Sequence, residues 1–176
     1  MKTNLLLILA LAVPALAQMP IKDALVKHWK TSGEFTIAVA EAMPANGYTF
    51  RPNPEEMTYG QLMAHIAGVN INACANASGL DKPAPPPKIA AWSLDTQKVD
   101  VDKETAVQFL HDSFDFCNKA VAGMTPQRMD SIVGPSNRHL TGFEWLWAYF
   151  THTAHHRGQA EVYLRVKGIK PPGYTF

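Results

Sequence analysis

Four segments of the chain carry apolar residues at alternating intervals of three and four, and no segment shows a strand-like alternation of comparable strength. Each stripe has to be buried against another helix, so the pattern predicts an all-α four-helix bundle. The first segment runs from about Ile21 to Met43. Its stripe is Ile21, Leu25, Trp29 (or His28), Ser32, Phe35, Val39 and Met43, and Pro44 with Asn46-Gly47 stops it. The second starts at Thr58, which has capping-box spacing with Gln61; Leu62, His65, Ile66, Val69 and Ala73 share one face, and Ser78-Gly79 ends it. The third begins at Asp102 and follows Val107, Leu110, Phe114, Cys117 and Val121 to Gly123. A loop with Thr125-Pro126 (room for one helical turn) and Gly134-Pro135 precedes the fourth. That last segment starts at Thr141, paired with Glu144, and passes Trp145, Ala148, Tyr149, His152, His156, Gln159 and Tyr163 to Gly168, with Pro171 and Pro172 beyond.

The link from Leu80 to Val101, with four prolines near its start, is long for a compact domain unless it crosses over or covers something. Such a crossover makes the second and third helices parallel. Cys74 lies 16 residues past Thr58 and Cys117 lies 15 past Asp102, so in parallel helices the two stand at nearly one height. A disulfide and two buried thiols are both open readings of that pair.

Residues 1–17 have the form of an export signal. Lys2 is followed by the apolar run Leu5 to Val13 and by Ala15-Leu16-Ala17 before Gln18. The run is shorter than the ~20 residues a membrane span needs. The expectation is an exported protein, periplasmic or extracellular, with residues 18–176 as one domain and no membrane association once the signal is removed. Sixteen Lys and Arg stand against fifteen Asp and Glu, a formal net charge of +1 with no basic run. That balance excludes nucleic acid as the main partner, because such binding rests on phosphate neutralisation.

The chemistry-bearing feature is a set of histidines on the apolar stripes. His152 and His156 are four apart, so both imidazoles leave one face of one helix a turn apart. That is the reach of two nitrogens onto one metal ion. A histidine on a helix is ordinarily a satisfied core or surface residue, and His65 alone reads as one. Three inward histidines fit one metal site better than three separate polar defects, since uncompensated buried imidazoles are costly. Gln159, a turn beyond His156, has the spacing to hydrogen-bond a ligand histidine or a metal-bound water. Tyr149 and Tyr163 border the same face, as donors to a substrate or as core. His155 points about 100° away from His156, toward a neighbouring helix or solvent, and reads as supporting the ligand histidines from outside or as structural. Arg157 reads as an anion-orienting group or a surface ion pair, and Gly158 as a site of close helix packing. His28 reads as core or solvent-facing, or as reaching in from the opposite wall. His111 and His139 belong to no constellation.

The run His152-Thr153-Ala154-His155-His156-Arg157-Gly158-Gln159, followed by Tyr163-Leu164-Arg165, Lys167-Gly168 and Pro171-Pro172, resembles the fourth-helix signature of DinB/YfiT-like proteins. Leu62-Met63-Ala64-His65-Ile66-Ala67 resembles their second-helix ligand segment. The resemblance implies a four-helix bundle with a crossover between helices two and three, and a divalent metal held by His65, His152 and His156. It also implies a small-molecule substrate or ligand, and homodimers are common among similar proteins. Family activities include thiol-dependent S-transfer and isomerisation, so the resemblance supplies the site more firmly than the reaction.

Three neutral histidines leave a divalent ion its full charge and an open position, the pattern of catalytic sites; zinc and nickel suit imidazole donors. Thr153 stands where a His-Glu-x-x-His protease has its general base, and no Glu-x-x-His motif of a di-iron site occurs. The expected function is therefore a metal-dependent hydrolase or thiol transferase. A non-catalytic metal- or ligand-binding bundle is the alternative.

Overall fold

Local capping sets where each helix begins. In a computed structural model, which describes residues 21–89 and 99–175, four long helices span Ile21–Ala42 (α1), Tyr59–Ser78 (α2), Lys103–Gly123 (α3) and Gly142–Val166 (α5). A short α4, Pro126–Asp130, precedes the last. Thr58 accepts from the Gln61 amide while its own amide donates to Gln61 Oε1, closing the box at the start of α2. Thr141 and Glu144 do the same for α5, and Asp102 caps α3 through the Thr105 amide. Thr125 caps α4, whose first residue is Pro126, where a missing amide hydrogen costs nothing.

The order of packing is cyclic, α1–α3–α2–α5, with α1 and α2 on one diagonal. Contacts along the elements give the directions. Gln61, near the start of α2, donates to Val99 O just before α3, and Arg128, just past α3, donates to the Ala77 and Asn76 carbonyls near the end of α2. Starts meet starts and ends meet ends, so α2 and α3 are parallel. Lys103 at the start of α3 donates to the Glu41 and Met43 carbonyls at the end of α1, so those two are antiparallel. Cys74 and Cys117 form a disulfide between α2 and α3, with Cα atoms 5.3 Å apart, which decides between the two readings of that pair.

The predicted stripes supply the core: Leu25, Trp29, Phe35 and Val39 from α1, Leu62, Ile66 and Ala73 from α2, Leu110, Phe114 and Val121 from α3, and Trp145 and Tyr163 from α5 are buried. A fully buried aliphatic such as Leu110 contributes about 1.5–3 kcal/mol relative to exposure. Gly60 allows the closest approach, since a Cβ there would stand only 2.0 Å from Val101 O.

Several details differ from the periodicity. Ile21 is exposed, and Ala148 faces outward on α5. The last helix ends at Val166, before the Gly168 (φ 72°) that reverses the chain. Ile132–Val133 (β1) and Leu140–Thr141 (β2) form a two-stranded antiparallel ladder ahead of α5. Strands of two residues are too short to show an alternation, so nothing in the pattern announces them. The segment read as an export signal lies outside the described residues, as do residues 90–98 of the crossover. The crossover's described beginning contains a 3-10 turn, Pro87–Ile89, with Ile89 buried.

Candidate metal centre

The antiparallel packing of α2 on α5 brings His65 opposite the His152/His156 pair. Tyr163, seven residues past His156, donates to Met57 O just before α2, and Thr153 donates to Asn70 Oδ1 across the same interface. These bonds fix the register of the two helices. His152 Nε2 then lies 3.0 Å from His156 Nε2 and 3.3 Å from His65 Nε2. Among the described residues, these three form a group in which one ligand atom from each lies within 4.8 Å of the others. All three are half-buried.

Burial, and then the neighbouring imidazoles, hold the His65 and His152 rings well below the usual histidine range, at about 4. Burial also lowers His156, partly offset by its bond to Gln159. At pH 7 the rings are therefore neutral, the form in which imidazole binds metal. Gln159 Oε1 lies 2.6 Å from His156 Nδ1 and accepts a hydrogen bond from the Nδ1–H, which leaves the Nε2 lone pair bare.

This donor set fits a metal ion. Two imidazole nitrogens bound to one ion at 2.0–2.1 Å stand about 3.3–3.4 Å apart in a tetrahedral arrangement and about 2.8–3.0 Å apart in an octahedral one. The His152–His156 and His152–His65 separations fall in that range. Three converging Nε2 atoms cannot satisfy one another without a shared proton or a cation between them. His152 Nδ1 is also buried without a partner.

The other residues singled out from the sequence take varied places. The Tyr149 ring packs on His152 at 5.7 Å between centroids, and its hydroxyl accepts from Arg138. His155 is exposed with its ring 4.8 Å from that of His156, outside the triad. Tyr163 belongs to the core. His28 stays on α1, half-buried, while His111 and His139 are exposed. Thr153 is fully buried in its bond to Asn70, so the position a protease base would occupy faces the bundle interior. Two readings are corrected. Arg157 neither orients an anion nor pairs on the surface; it is buried between α1 and α5, donates to Ser32 and Thr36, and lies over the Phe35 ring. Gly158 is exposed, and a Cβ there would meet nothing within 4 Å, so none of the described helices packs closely on it.

A cavity of about 970 Å³ opens beside the triad, with His65 and Tyr149 in its wall. Lys82, Pro83, Ala84 and Pro85 cover part of it, which is the role expected of so long a link. Asn72 and Asn76 line it from α2, and Arg138 from the loop before β2. Sequence reasoning missed these polar groups, although Asn72 and Asn76 follow His65 by seven and eleven residues and so share its helix face.

Comparison with known proteins agrees with this fold. A DinB-like protein of Bacillus cereus is 19% identical over 87% of this chain and 97% of its own, with a TM-score of 0.71. A DinB-like protein of Bacillus subtilis is 20% identical over 86% and 98%, with a TM-score of 0.65. A conserved protein of Enterococcus faecalis is 15% identical over 85% and 98%, with a TM-score of 0.68. At these identities the likeness is one of fold. No curated protein matches. The family model of the DinB superfamily matches residues 28–160, from the first turns of α1 into the last third of α5, and the chain belongs to that superfamily.

Proposed function

We propose that this protein is an exported, divalent-metal-dependent enzyme, a hydrolase or thiol transferase, acting on a small molecule in the cavity beside His65. His65, His152 and His156 are the metal ligands in this reading, with zinc or nickel as the ion. The observation that carries it is the convergence of three neutral imidazole nitrogens with no carboxylate in the group. An ion held by three neutral donors keeps its full charge and an open position, and so supplies Lewis acidity to whatever lies beside it.

The chain's own residues contribute orientation. Gln159 holds the His156 ring by its Nδ1 proton, and the Tyr149 ring backs His152. Tyr149 accepts from Arg138, which leaves its own hydroxyl proton to donate to a ligand. Export favours hydrolysis over thiol transfer, because low-molecular-weight thiols are concentrated in the cytosol.

The test is to load the purified protein with zinc or nickel and screen ester, amide and thiol-conjugation substrates. Metal-dependent turnover that disappears in His156→Ala is the expected result. Rates no higher than that variant's across all panels would sink the enzymatic reading. A second reading, a non-catalytic metal-binding bundle, is favoured by the burial of Thr153 and the lack of a carboxylate base in the histidine group. It predicts that chelation lowers the melting temperature substantially without any accompanying loss of turnover.

A further inference from the structure

The cavity's charged groups are all of one sign among the described residues. Among the described residues its wall contains Lys82, Arg138, Asn72, Asn76 and Asn137, but no Asp or Glu. Neither cation has an acidic partner among the described residues. Lys82 Nζ donates to Asn72 Oδ1 at 2.6 Å, and Arg138 Nη1 donates to Tyr149 Oη at 2.9 Å. Both bonds use neutral acceptors, so among the described residues neither positive charge meets an anion. Each also keeps free donors, since an ammonium has three and a guanidinium five.

The two charges are held in place. Arg138 lies over the Trp145 ring at 5.7 Å from its centroid. Its loop is pressed onto that ring at Gly134, where φ is 85° and a Cβ would stand 3.0 Å from Trp145 Nε1. The indole donates to Val133 O, tying the start of the loop to α5. Lys82 is tied by Asn72 to the face of α2 that bears His65. Asn72 is seven residues beyond His65, about 10 Å along the helix axis. Between them the wall is apolar, with Val69 and Ile71 from α2 and Phe109 from α3.

We infer that the cavity binds an elongated organic acid, whose carboxylate is held by Lys82 and Arg138 and whose far end, across the apolar wall, reaches the histidines. The inference rests on the functional reading above for what happens at the far end, but not for the recognition of the acid. A volume of about 970 Å³ is ample for such a molecule. Positive charge in the wall also draws an anion in, an effect that salt weakens.

The test pairs ω-phenyl carboxylates of increasing chain length with their primary amides, titrated by calorimetry into chelator-treated protein. Without metal, any preference for the acid comes from the protein's own charges. The expected result is roughly tenfold tighter binding of the acid than of its amide, the size of one charge-assisted hydrogen bond. That preference should decline with salt, shrink in Arg138→Gln and Lys82→Gln, and vanish in the double variant. Lys30→Gln, on α1 and paired with Glu34, should retain it. Melting temperatures of the variants report whether they fold. Equal binding of acid and amide, a preference kept by the folded double variant, or no saturable binding of any acid at millimolar concentration would each overturn the inference. In zinc-loaded protein, ω-mercapto acids should bind best when thiol and carboxylate stand about 10 Å apart. A series with no length optimum in protein that does bind zinc overturns the placement of the far end. Failure to bind zinc with the acid preference intact would instead remove the metal reading alone.

Discussion

Helix α5 carries two polar clusters a few residues apart, and they are built in opposite ways. Arg157 and Thr153 point toward α1 and α2 and find partners there: Ser32 and Thr36 for the guanidinium, Asn70 for the hydroxyl. His152 and His156 point toward His65 and find chiefly one another, Nε2 to Nε2. In the first cluster donors meet acceptors and tie helices together, with the Asn70 amide nitrogen the one atom named there that is buried without a partner. In the second, three groups of the same kind converge, and only something placed between them satisfies all three. Burial alone therefore does not mark a functional residue. Arg157 is the more buried of the two kinds and is structural.

The largest separation between the clusters should appear on metal binding. His152→Ala removes the nitrogen that lies between the other two, and zinc affinity should fall by orders of magnitude in equilibrium dialysis. The metal-free variant should melt close to the wild type, because no satisfied bond is lost. A drop in metal-free stability like that of a core deletion would make the histidines structural instead.

Arg157→Met should show the reverse. Removing the guanidinium strands no charge but loses its bonds to Ser32 and Thr36 and its packing on Phe35, a cost of about 2–4 kcal/mol in denaturant unfolding. Zinc stoichiometry should stay at the wild-type value. A variant of unchanged stability would show that the guanidinium bonds contribute little.

A smaller effect is expected where the histidine cluster does have a protein partner. Gln159→Leu frees the His156 ring and should weaken zinc binding by about 10–100-fold while leaving the melting temperature of the metal-free protein nearly unchanged. An unaltered affinity would mean that the ring is positioned by packing alone.

The smallest effect is on pH dependence. In the unfolded chain His65 and His152 take protons near 6.5, but in the folded chain only near 4. Between those values the unfolded chain holds more protons, so the metal-free protein should lose stability as pH falls through that window and show the full contribution above it. Comparing melting temperatures of the wild type and the His65→Ala, His152→Ala double variant across that window isolates the contribution. Identical slopes would mean that the rings titrate normally in the fold.

Particular residues show how far periodicity carries. Thr58 with Gln61, Asp102, and Thr141 with Glu144 announce their helix starts because capping is local and involves residues three apart. The length of the Leu80–Val101 link was enough to predict parallel α2 and α3, and that arrangement sets Cys74 beside Cys117. Gly158 shows the limit: a glycine inside a helix can mean close packing, but here none of the described residues approaches it. Arg157 misled in the same way, since its partners are more than 120 residues distant in sequence.

By itself, the sequence determined the helices, their caps and the presence of three histidines on inward faces, because these depend on periods and spacings within single segments. Only the tertiary structure decided that the three nitrogens converge, that Arg157 is buried against Ser32 and Thr36, and that Lys82 and Arg138 face one cavity with no acid among its described lining residues. Those outcomes depend on how α2, α5 and two distant loops register against one another. No spacing within a segment encodes that register; it follows from the packing of whole helix faces.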